Sequence, residues 1–237
     1  MGFLGKTKRF EKLGKGAFSV AKRVLPRKGR IAGPLVGKVV KIVRGSRNIE
    51  SSIRTKKLIE KYVRLLGEAG VKTTPTKIKI MLSKKRHQIL IIQPLVPKEL
   101  LLQNYLQSCS KSEALEAFRQ ASEITRNIQK FNAQSQTKIG LDFHVNNLAK
   151  TENGLAFFDF YPPYVINTTT TLTTTDITRK RRNLLSRFRS EIMPRRAELL
   201  TIQRTKARMD LRKQFQKIAE EFIKLRPELE EHFEALM

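Results

Sequence analysis

Cysteine, histidine and tryptophan are scarce in this chain of 237 residues, and the first two shortages exclude classes of site. One cysteine, Cys109, excludes a disulfide framework and a cysteine-based zinc site. Three widely separated histidines do not predict a histidine metal cluster. No apolar run approaches the roughly 18 residues that a membrane-spanning helix needs, and residues 1–6 lack the apolar stretch of a signal peptide. We therefore expect a cytoplasmic protein with no membrane span.

Acidic residues are also few. The chain has 21 Asp and Glu and 48 Lys and Arg, which gives a formal net charge of +27. Such a surface attracts phosphate-rich partners, so RNA, the ribosome or another polyanion is an expected partner. The charge is densest over residues 179–213, where thirteen Lys and Arg face three acids. Like charges four residues apart destabilise a helix, and a bound polyanion would offset that cost. A merely solubilising surface is the other interpretation.

Hydrophobic periodicity predicts strands first and helices later in the chain, which is typical of an α+β protein. Hydrophobic residues make up 40% of the chain, which is enough for a core. The predicted strands are 35–43, 77–82, 88–93 and 154–161. The predicted helices are 53–66, 100–106, 112–131 with Ser112 as its N-cap, and a basic stretch that follows the threonine-rich residues 167–178.

The strongest local signal is an aspartate followed five positions later by an asparagine, Asp142 and Asn147. In phosphoryl transfer, a loop of this form supplies an Asp that accepts the proton of the attacking hydroxyl and an Asn that holds Mg²⁺. A second carboxylate, Asp159, lies on the next predicted strand, inside an apolar run. Burying an unpaired charge is costly, so we expect a metal ion or another cation beside Asp159.

Weaker signals precede that loop in the chain. Gly14 and Gly16 stand in a short glycine-bearing loop of the kind that covers nucleotide phosphates. Lys41, inside an apolar strand, has the setting of a lysine that binds the α- and β-phosphates. Glu60 lies on the next predicted helix, where an acid that pairs with Lys41 would sit. Gln93 opens a segment that fits a hinge for an adenine ring.

These pieces, in this order, resemble the protein-kinase-like superfamily, and most closely its small atypical members, the aminoglycoside/choline phosphotransferases and the RIO-type kinases. The resemblance covers about residues 10–165. It implies a bilobal fold, with a small β-rich N-terminal lobe and a helical C-terminal lobe, and an ATP- and Mg²⁺-dependent phosphotransferase with an unidentified hydroxyl acceptor. The implied site residues are the catalytic base Asp142, the metal ligands Asn147 and Asp159, and the nucleotide-binding residues Gly14, Gly16, Lys41, Glu60 and Gln93.

The resemblance also divides the chain and marks two departures. Residues 1–96 would form the N-terminal lobe, residues 97–178 the core of the C-terminal lobe, and residues 179–237 a helical extension that is first basic and then acidic. Gly140 stands where the family has the histidine that braces the catalytic loop. Tyr161 stands where the family has the glycine after Asp-Phe.

The three central residues also have ordinary structural interpretations. Asp142 would then cap a turn, because Asp is common in turns. Asp159 would pair with an arginine as a structural buried acid. Lys41 would be an edge-strand lysine.

Other residues leave the same choice open. Glu60 would pair with lysines one turn away on its helix, and Glu50 and Glu68 are rival partners for Lys41. His144 would pack within the catalytic loop or position it, or its charge, close to the phosphate, would help to hold the substrate. For the whole protein, the alternative function is a catalytically weak kinase-like scaffold that binds RNA or another polyanion through its basic surface.

Overall fold

The computed structural model describes residues 10–15, 19–25, 34–83, 86–167 and 208–234. Within them the N-terminal part holds an antiparallel sheet and the C-terminal part is mainly helical, which confirms the α+β class. Most of the threonine-rich stretch and most of the basic segment 179–213 lie outside the described residues. No helix in the described part of the chain is long and apolar enough to cross a membrane.

The described elements are nine strands, five α-helices and three short 3₁₀ turns. The strands are β1 Phe10–Lys15, β2 Ser19–Val24, β3 Lys38–Ser46, β4 Lys77–Ser83, β5 Arg86–Pro94, β6 Thr137–Ile139, β7 Leu148–Thr151, β8 Gly154–Phe157 and β9 Val165–Asn167. The helices are α1 Ile49–Glu68, α2 Leu102–Ser108, α3 Lys111–Gln134, α4 Leu211–Leu225 and α5 Glu230–Glu234. The 3₁₀ turns are Lys98–Leu100, Val145–Asn147 and Pro227–Leu229.

The first five strands form one antiparallel sheet in the order β1-β2-β3-β5-β4. Central strand β5 is apolar without alternation because both of its faces are covered. Ile89 and Ile91 join the main core on the face that packs against α1. Leu90 and Ile92 join Val40 in a small cluster on the opposite face. The sheet therefore has an inner face toward the core and an outer face away from it.

Helix α1 connects β3 to β4 and covers the inner face of the sheet. Ile59, Tyr62 and Leu66 are buried, as expected for positions on one helical face. The helix is longer than the predicted span 53–66, because the side chain of Asn48 accepts a backbone N–H of the first turn and caps an earlier start.

Helix α3 is the longest element and carries the C-terminal helix α4 on its side. It begins one residue earlier than predicted, and the prediction that Ser112 caps it was wrong. Ser110 is the cap and forms a reciprocal capping box with Glu113. Phe118 of α3 packs edge-on against Phe222 of α4, with 5.2 Å between ring centroids. This contact fixes α4 beside the loop that connects β6 to β7.

Two short antiparallel sheets of two strands each complete the described C-terminal part. β6 pairs with β9, and β7 pairs with β8. The predicted strand 154–161 is too long, because β8 ends at Phe157, where its partner β7 begins with Leu148. Asp159 therefore lies just after a strand, at the junction between the sheet and the helical part. Phe157 also accepts a hydrogen bond from Thr74 N, at 3.2 Å, which ties the two parts together.

Candidate active site

An ion pair between Lys41 and Asp159 joins the sheet to the helical part of the molecule. Lys41 lies in the middle of β3, on the inner face, opposite Ala21 in β2 and Ile91 in β5. Its ammonium contacts a carboxylate oxygen of Asp159, 118 residues further along the chain. Both side chains are largely shielded from solvent. The cation that sequence analysis expected beside Asp159 is therefore Lys41, and not an arginine.

Hydrogen bonds made by the neighbouring residues Phe158 and Tyr161 hold Asp159 in position. Gln93, at the end of β5, is buried and donates through Nε2 to the Phe158 carbonyl, at 3.0 Å, and to Thr74 Oγ1, at 2.9 Å. Tyr161 N donates to Asp159 Oδ1, at 3.2 Å. The side chain of Gln93 thus holds the backbone next to Asp159, and the structure shows no other role for it.

Asn147 is brought to the same place by the loop that holds Asp142. Its Nδ2 donates to the Asp142 carbonyl oxygen, at 2.8 Å, which closes the loop on itself. Its own carbonyl oxygen accepts from Phe158 N, at 3.2 Å, next to Asp159. Because the amide nitrogen is engaged within the loop, the side-chain oxygen of Asn147 is the atom suited to ligate a cation.

Gly140 is required by a close approach of two backbone segments. A Cβ added at this residue would lie 2.4 Å from the Arg208 carbonyl oxygen and 2.8 Å from its carbon. The Gly140 carbonyl accepts from Tyr62 Oη, at 2.7 Å, and Gly140 N donates to the Tyr164 carbonyl, at 3.0 Å. Backbone contacts and one tyrosine therefore occupy the space that a bracing histidine would need.

Tyr62 itself is a buried hydrogen-bond donor from α1 to this loop. Burial raises its pKa well above the ordinary value, and Tyr164, Asp159 and Asp142 raise it further. The hydroxyl therefore keeps its proton throughout the physiological range and remains a donor to Gly140. Helix α1 and the Asp142 loop are connected through this bond.

The C-terminal segment supplies polar partners to the same loop. An Arg208 guanidinium nitrogen lies 2.6 Å from Asp142 Oδ1. Gln214 Oε1 accepts from Phe143 N, at 3.3 Å. Glu221 Oε2 accepts from Val145 N, at 2.9 Å. The loop residues Asp142, Phe143 and Val145 are thus contacted by α4 and by Arg208, which lies just before it.

His144, which lies two residues after Asp142, is the centre of a charged cluster. Its Nδ1 contacts Glu221 and its Nε2 contacts Lys217. Since an ammonium only donates, Nε2 accepts from Lys217 and the Nδ1–H donates to Glu221. Its Nε2 also lies 3.5 Å from Asp142 Oδ1. His144 thus has the positioning role that was one of its two interpretations.

Two groups of this cluster have shifted pKa values. Burial lowers the pKa of Lys217, and the nearby Arg208 lowers it further, against attraction from Asp142 and Glu221. Burial alone would raise the pKa of Glu221, but hydrogen bonds from His144 and Val145 N outweigh it and lower the pKa. Glu221 is therefore ionised at neutral pH and holds two loop residues at once.

Glu60, another implied nucleotide-binding residue, does not join the Lys41–Asp159 pair. Glu60 is exposed on α1 and pairs with Lys56, at 3.0 Å, while Lys41 pairs with Asp159, so the expected Lys41–Glu60 pair does not form. The physical reason is that Lys56, one turn away, is a nearer cation for Glu60. Gly14 lies next to the bulge of β1, and Gly16 lies outside the described residues.

The other two acids considered as partners for Lys41 also pair within their own helix. Glu50 pairs with Arg54 and Glu68 pairs with Arg64, each at 3.8 Å and each four residues along α1. Neither acid is paired with Lys41. The acids of α1 are therefore used within the helix.

Sequence reasoning missed three contributors to the site, Arg208, Lys217 and Glu221. Arg208 was counted with the basic segment 179–213 as a phosphate contact, whereas it turns inward to Asp142. A signal was available in the C-terminal helix, because Gln214, Lys217 and Glu221 are spaced i, i+3, i+7 and share one helical side. That spacing marks a polar stripe beside the buried face of α4.

Few side chains here could ligate a metal ion, so Mg²⁺ would also need oxygen ligands from a bound phosphate group. In the described part of the chain no group of three or more His, Cys, Asp or Glu side chains could hold a metal ion. Asn147 and Asp159 offer one amide oxygen and one carboxylate from adjoining backbone segments. Mg²⁺ is commonly held by one or two carboxylates plus substrate phosphates, so these residues fit it only as a nucleotide complex.

Comparison with known proteins places the chain in a family but assigns it no activity. No curated protein has a sequence that matches it. The model of DUF6206, described as a family of unknown function, matches residues 9–228 and so spans nearly all of the chain, including the whole candidate site. The chain therefore belongs to the DUF6206 family.

Proposed function

We propose that the protein is an ATP- and Mg²⁺-dependent phosphotransferase with a kinase-like bilobal fold. The observation that carries the proposal is the meeting of Lys41, Asp159 and the Asp142–Asn147 loop at one junction. These groups come from three separated parts of the chain. A structural ion pair alone would not require an Asp and an Asn in the adjoining loop.

The layout of the molecule supports the same proposal. A five-stranded antiparallel sheet with one inserted helix precedes a mainly helical part, as in the bilobal fold that the resemblance implies. The candidate residues lie where the two parts meet, which is where a ligand is most readily enclosed. Gln93 and Tyr62 donate hydrogen bonds across this junction, to the carbonyls of Phe158 and Gly140, and so hold its two sides together.

Each residue has a separate role in the proposed reaction. Lys41 binds the α- and β-phosphates, and the side chains of Asn147 and Asp159 hold Mg²⁺, which neutralises charge on the phosphates. Asp142 accepts the proton of the attacking hydroxyl. With nucleotide bound, Lys41 and Asp159 would hold the phosphates and the metal in place of their direct contact. That contact keeps both charges compensated in the protein without nucleotide.

The charge of the whole chain favours an anionic or neutral acceptor. Close to Asp142, the cations Arg208 and Lys217 are balanced by Asp142 itself and by Glu221. The net charge of +27 repels a cationic substrate such as an aminoglycoside and attracts an acceptor that carries a phosphate or carboxylate.

A catalytically weak scaffold with the same fold is the second candidate, favoured by the Arg208–Asp142 ion pair. Arg208 occupies the Asp142 carboxylate, so Asp142 would have to leave Arg208 before it could accept a hydroxyl proton. Gly140 adds to this argument, since its contacts replace the bracing histidine. Both candidates bind Mg-ATP, and they differ in the rate of transfer.

Nucleotide binding is tested by calorimetry and thermal unfolding with ATP, with and without Mg²⁺. We expect Mg-ATP at about 100 times its Kd to add about 2.7 kcal/mol of stability, and ATP without Mg²⁺ to add less. Asp159→Asn should remove the Mg²⁺-dependent part, and Lys41→Ala should weaken ATP binding in either condition. Circular dichroism of each variant checks that it is folded.

The matched control is Glu152→Gln, which also converts an acid to an amide but lies exposed between β7 and β8. It should bind Mg-ATP as the wild type does. If neither Mg-ATP nor Mg-GTP stabilises the wild type at millimolar concentration, the phosphotransferase proposal is wrong. If Asp159→Asn retains the full Mg²⁺-dependent shift, the metal assignment is wrong.

A further inference from the structure

The outer face of the five-stranded sheet, defined above as the face opposite α1, carries charge of one sign. Six cationic residues whose side chains the structure describes lie on it, at least one from each strand, and five of the six are exposed, Lys22 being half-buried. They are Lys12, Lys22, Lys38, Lys77, Lys79 and Arg86. Among the described residues of these strands the one acid, Glu11, lies on the inner face, where it pairs with Arg23.

The sequence around this face contains no compensating acids. Residues 12–49 hold eleven Lys and Arg, and residues 69–98 hold seven, but neither segment has an Asp or a Glu. Helix α1 shows the opposite pattern, since three of its acids pair with cations four residues away. The one-sided charge is therefore a property of the sheet and its connections, and not simply of a basic chain.

Two of these lysines stand directly opposite each other. Lys12 of β1 and Lys22 of β2 are paired across the two strands. Like charges at such a position destabilise a sheet. Neither residue is needed for the core, because the apolar cluster of this face is built from Val40, Leu90 and Ile92. Lys22 lies over the ring of Phe10, but no described contact explains Lys12, so the cost of placing it opposite Lys22 points to a binding role for its charge.

Four of the six cations flank an apolar strip of the outer face. One row of the sheet runs across five strands, through Lys12, Lys22, Val40, Ile92 and Lys77. Neighbouring strands are about 4.8 Å apart, so Lys22 and Lys77, on the two sides of Val40 and Ile92, are about 14 Å apart at their backbones. Lysines thus lie on both sides of the strip, while Lys38 and Arg86 lie further along the two interior strands that form it.

We propose that the outer face binds double-stranded RNA through its phosphates. Lysines on both sides of the strip suit the two phosphate rows on either side of a groove, and the short apolar side chains between them cannot reach into a deep groove, so they suit one that is wide and shallow. The minor groove of A-form RNA has that shape, whereas the grooves of B-form DNA are narrow or deep. The proposal does not depend on phosphotransfer, because the outer face is on the other side of the sheet from Lys41.

Single-stranded RNA fits this surface less well. Binding of single strands relies on aromatic side chains on which bases stack. In the described part of this face the one aromatic residue is Phe10, at the sheet edge, and the Lys22 ammonium already lies over its ring, 5.5 Å from the centroid. Phosphate contacts, and not stacking, are the interaction that this surface offers.

The test compares two triple variants of the full chain that lose the same charge. The outer-face variant is Lys12→Gln, Lys77→Gln and Lys79→Gln. The control variant is Lys57→Gln, Arg126→Gln and Lys130→Gln, whose three residues are exposed on α1 and α3. The probe is an RNA duplex of about 16 base pairs, with a DNA duplex, a single-stranded RNA and phosphatidylserine vesicles as comparisons. Anisotropy or co-sedimentation is measured over a series of salt concentrations.

We expect the outer-face variant to bind the RNA duplex about tenfold or more weakly than wild type, and its log–log salt slope to fall by about 2–3, since each lost phosphate contact removes about 0.9. The control variant should keep the slope of the wild type. Equal losses in the two variants would overturn the proposal, because binding would then follow net charge alone. A preference for vesicles, single strands or the DNA duplex over the RNA duplex would also overturn it.

Discussion

The candidate site and the outer face of the sheet use positive charge in opposite ways. In the site, Lys41 contacts Asp159 and Arg208 contacts Asp142, so these two shielded cations each have an acid. On the outer face, the lysines have no acid on the same face among the described residues of the strands, and Lys12 and Lys22 stand opposite each other. Lys41 lies on the inner face of the same sheet, so the thickness of the sheet separates it from the outer-face lysines.

The difference teaches that net charge is a poor guide to function in this chain. The contribution of a charge in the site depends on geometry, because a shielded ion needs an oppositely charged neighbour at close range to offset the loss of its hydration. The effect of the outer-face charges on binding depends on how many there are and on the salt concentration, because exposed charges attract a polyanion jointly and are screened by salt. Variants in the site should therefore affect stability and chemistry, and variants on the outer face should affect salt-dependent binding.

The largest stability effect is expected at Gly140. Gly140→Ala places a Cβ 2.4 Å from the Arg208 carbonyl oxygen, so two backbone segments must separate. We expect a loss of about 1–3 kcal/mol, measured by urea unfolding. The control is Gly67→Ala, where a Cβ meets nothing within 4 Å and helix propensity gains about 0.5–1 kcal/mol. If both variants gain stability, Arg208 does not approach Gly140 as described.

A smaller effect that depends on pH is expected at Glu221. Hydrogen bonds from His144 and Val145 N outweigh burial and hold its pKa below the unfolded value of about 4.3. Its contribution is therefore complete above that value and is lost as pH falls through the folded-state pKa. Glu221→Gln should lower stability by about 1 kcal/mol at pH 7, with the difference shrinking in acid.

The measurement is thermal unfolding of both proteins in steps from pH 7 to pH 3. The control is Glu220→Gln, a neighbouring exposed acid for which the same change should matter little at any pH. A difference between wild type and Glu221→Gln that stays constant with pH would show that the ionised carboxylate does not hold the loop.

The smallest effect, and one of opposite sign, is expected on the outer face. Lys12→Gln removes the like-charge pair with Lys22 and should raise stability by about 0.2–1 kcal/mol at low salt. The gain should diminish in 1 M salt, where screening acts within about 3 Å. Urea unfolding at two salt concentrations checks this prediction. A loss of stability at low salt would mean that Lys12 has a structural partner.

The sequence predicted those parts of the fold that depend on local pattern. Alternation of lysine with isoleucine gave the strand at 77–82, and the apolar run 88–93 gave the central strand, although neither pattern gives the order of strands in the sheet. The Asp142–Asn147 spacing marked a loop that the structure does close through a hydrogen bond. Each of these signals is contained within a few residues.

The remainder of the site could not be predicted, because its contacts join distant segments. Arg208 is 66 residues from Asp142 in the sequence, and nothing in a basic run shows which member turns inward. Glu60 illustrates the opposite error, because a spacing that suggested Lys41 was satisfied by Lys56 one turn away. The sequence shows Gly140 only as the absence of a histidine, because the backbone that requires a glycine there belongs to Arg208, a distant residue in the chain.

The most direct test of phosphotransfer is a single-turnover reaction with ATP labelled at its γ-phosphate, with Mg²⁺ and excess protein. Label released to water, carried by the protein or transferred to added neutral and anionic hydroxyl compounds is measured for wild type, Asp142→Asn and Glu152→Gln. We predict transfer above background by wild type and by Glu152→Gln, and a rate about 10²–10⁴-fold lower in Asp142→Asn, with unchanged affinity for Mg-ATP. Equal rates in wild type and Asp142→Asn, or no transfer by the wild type, would contradict the proposed function.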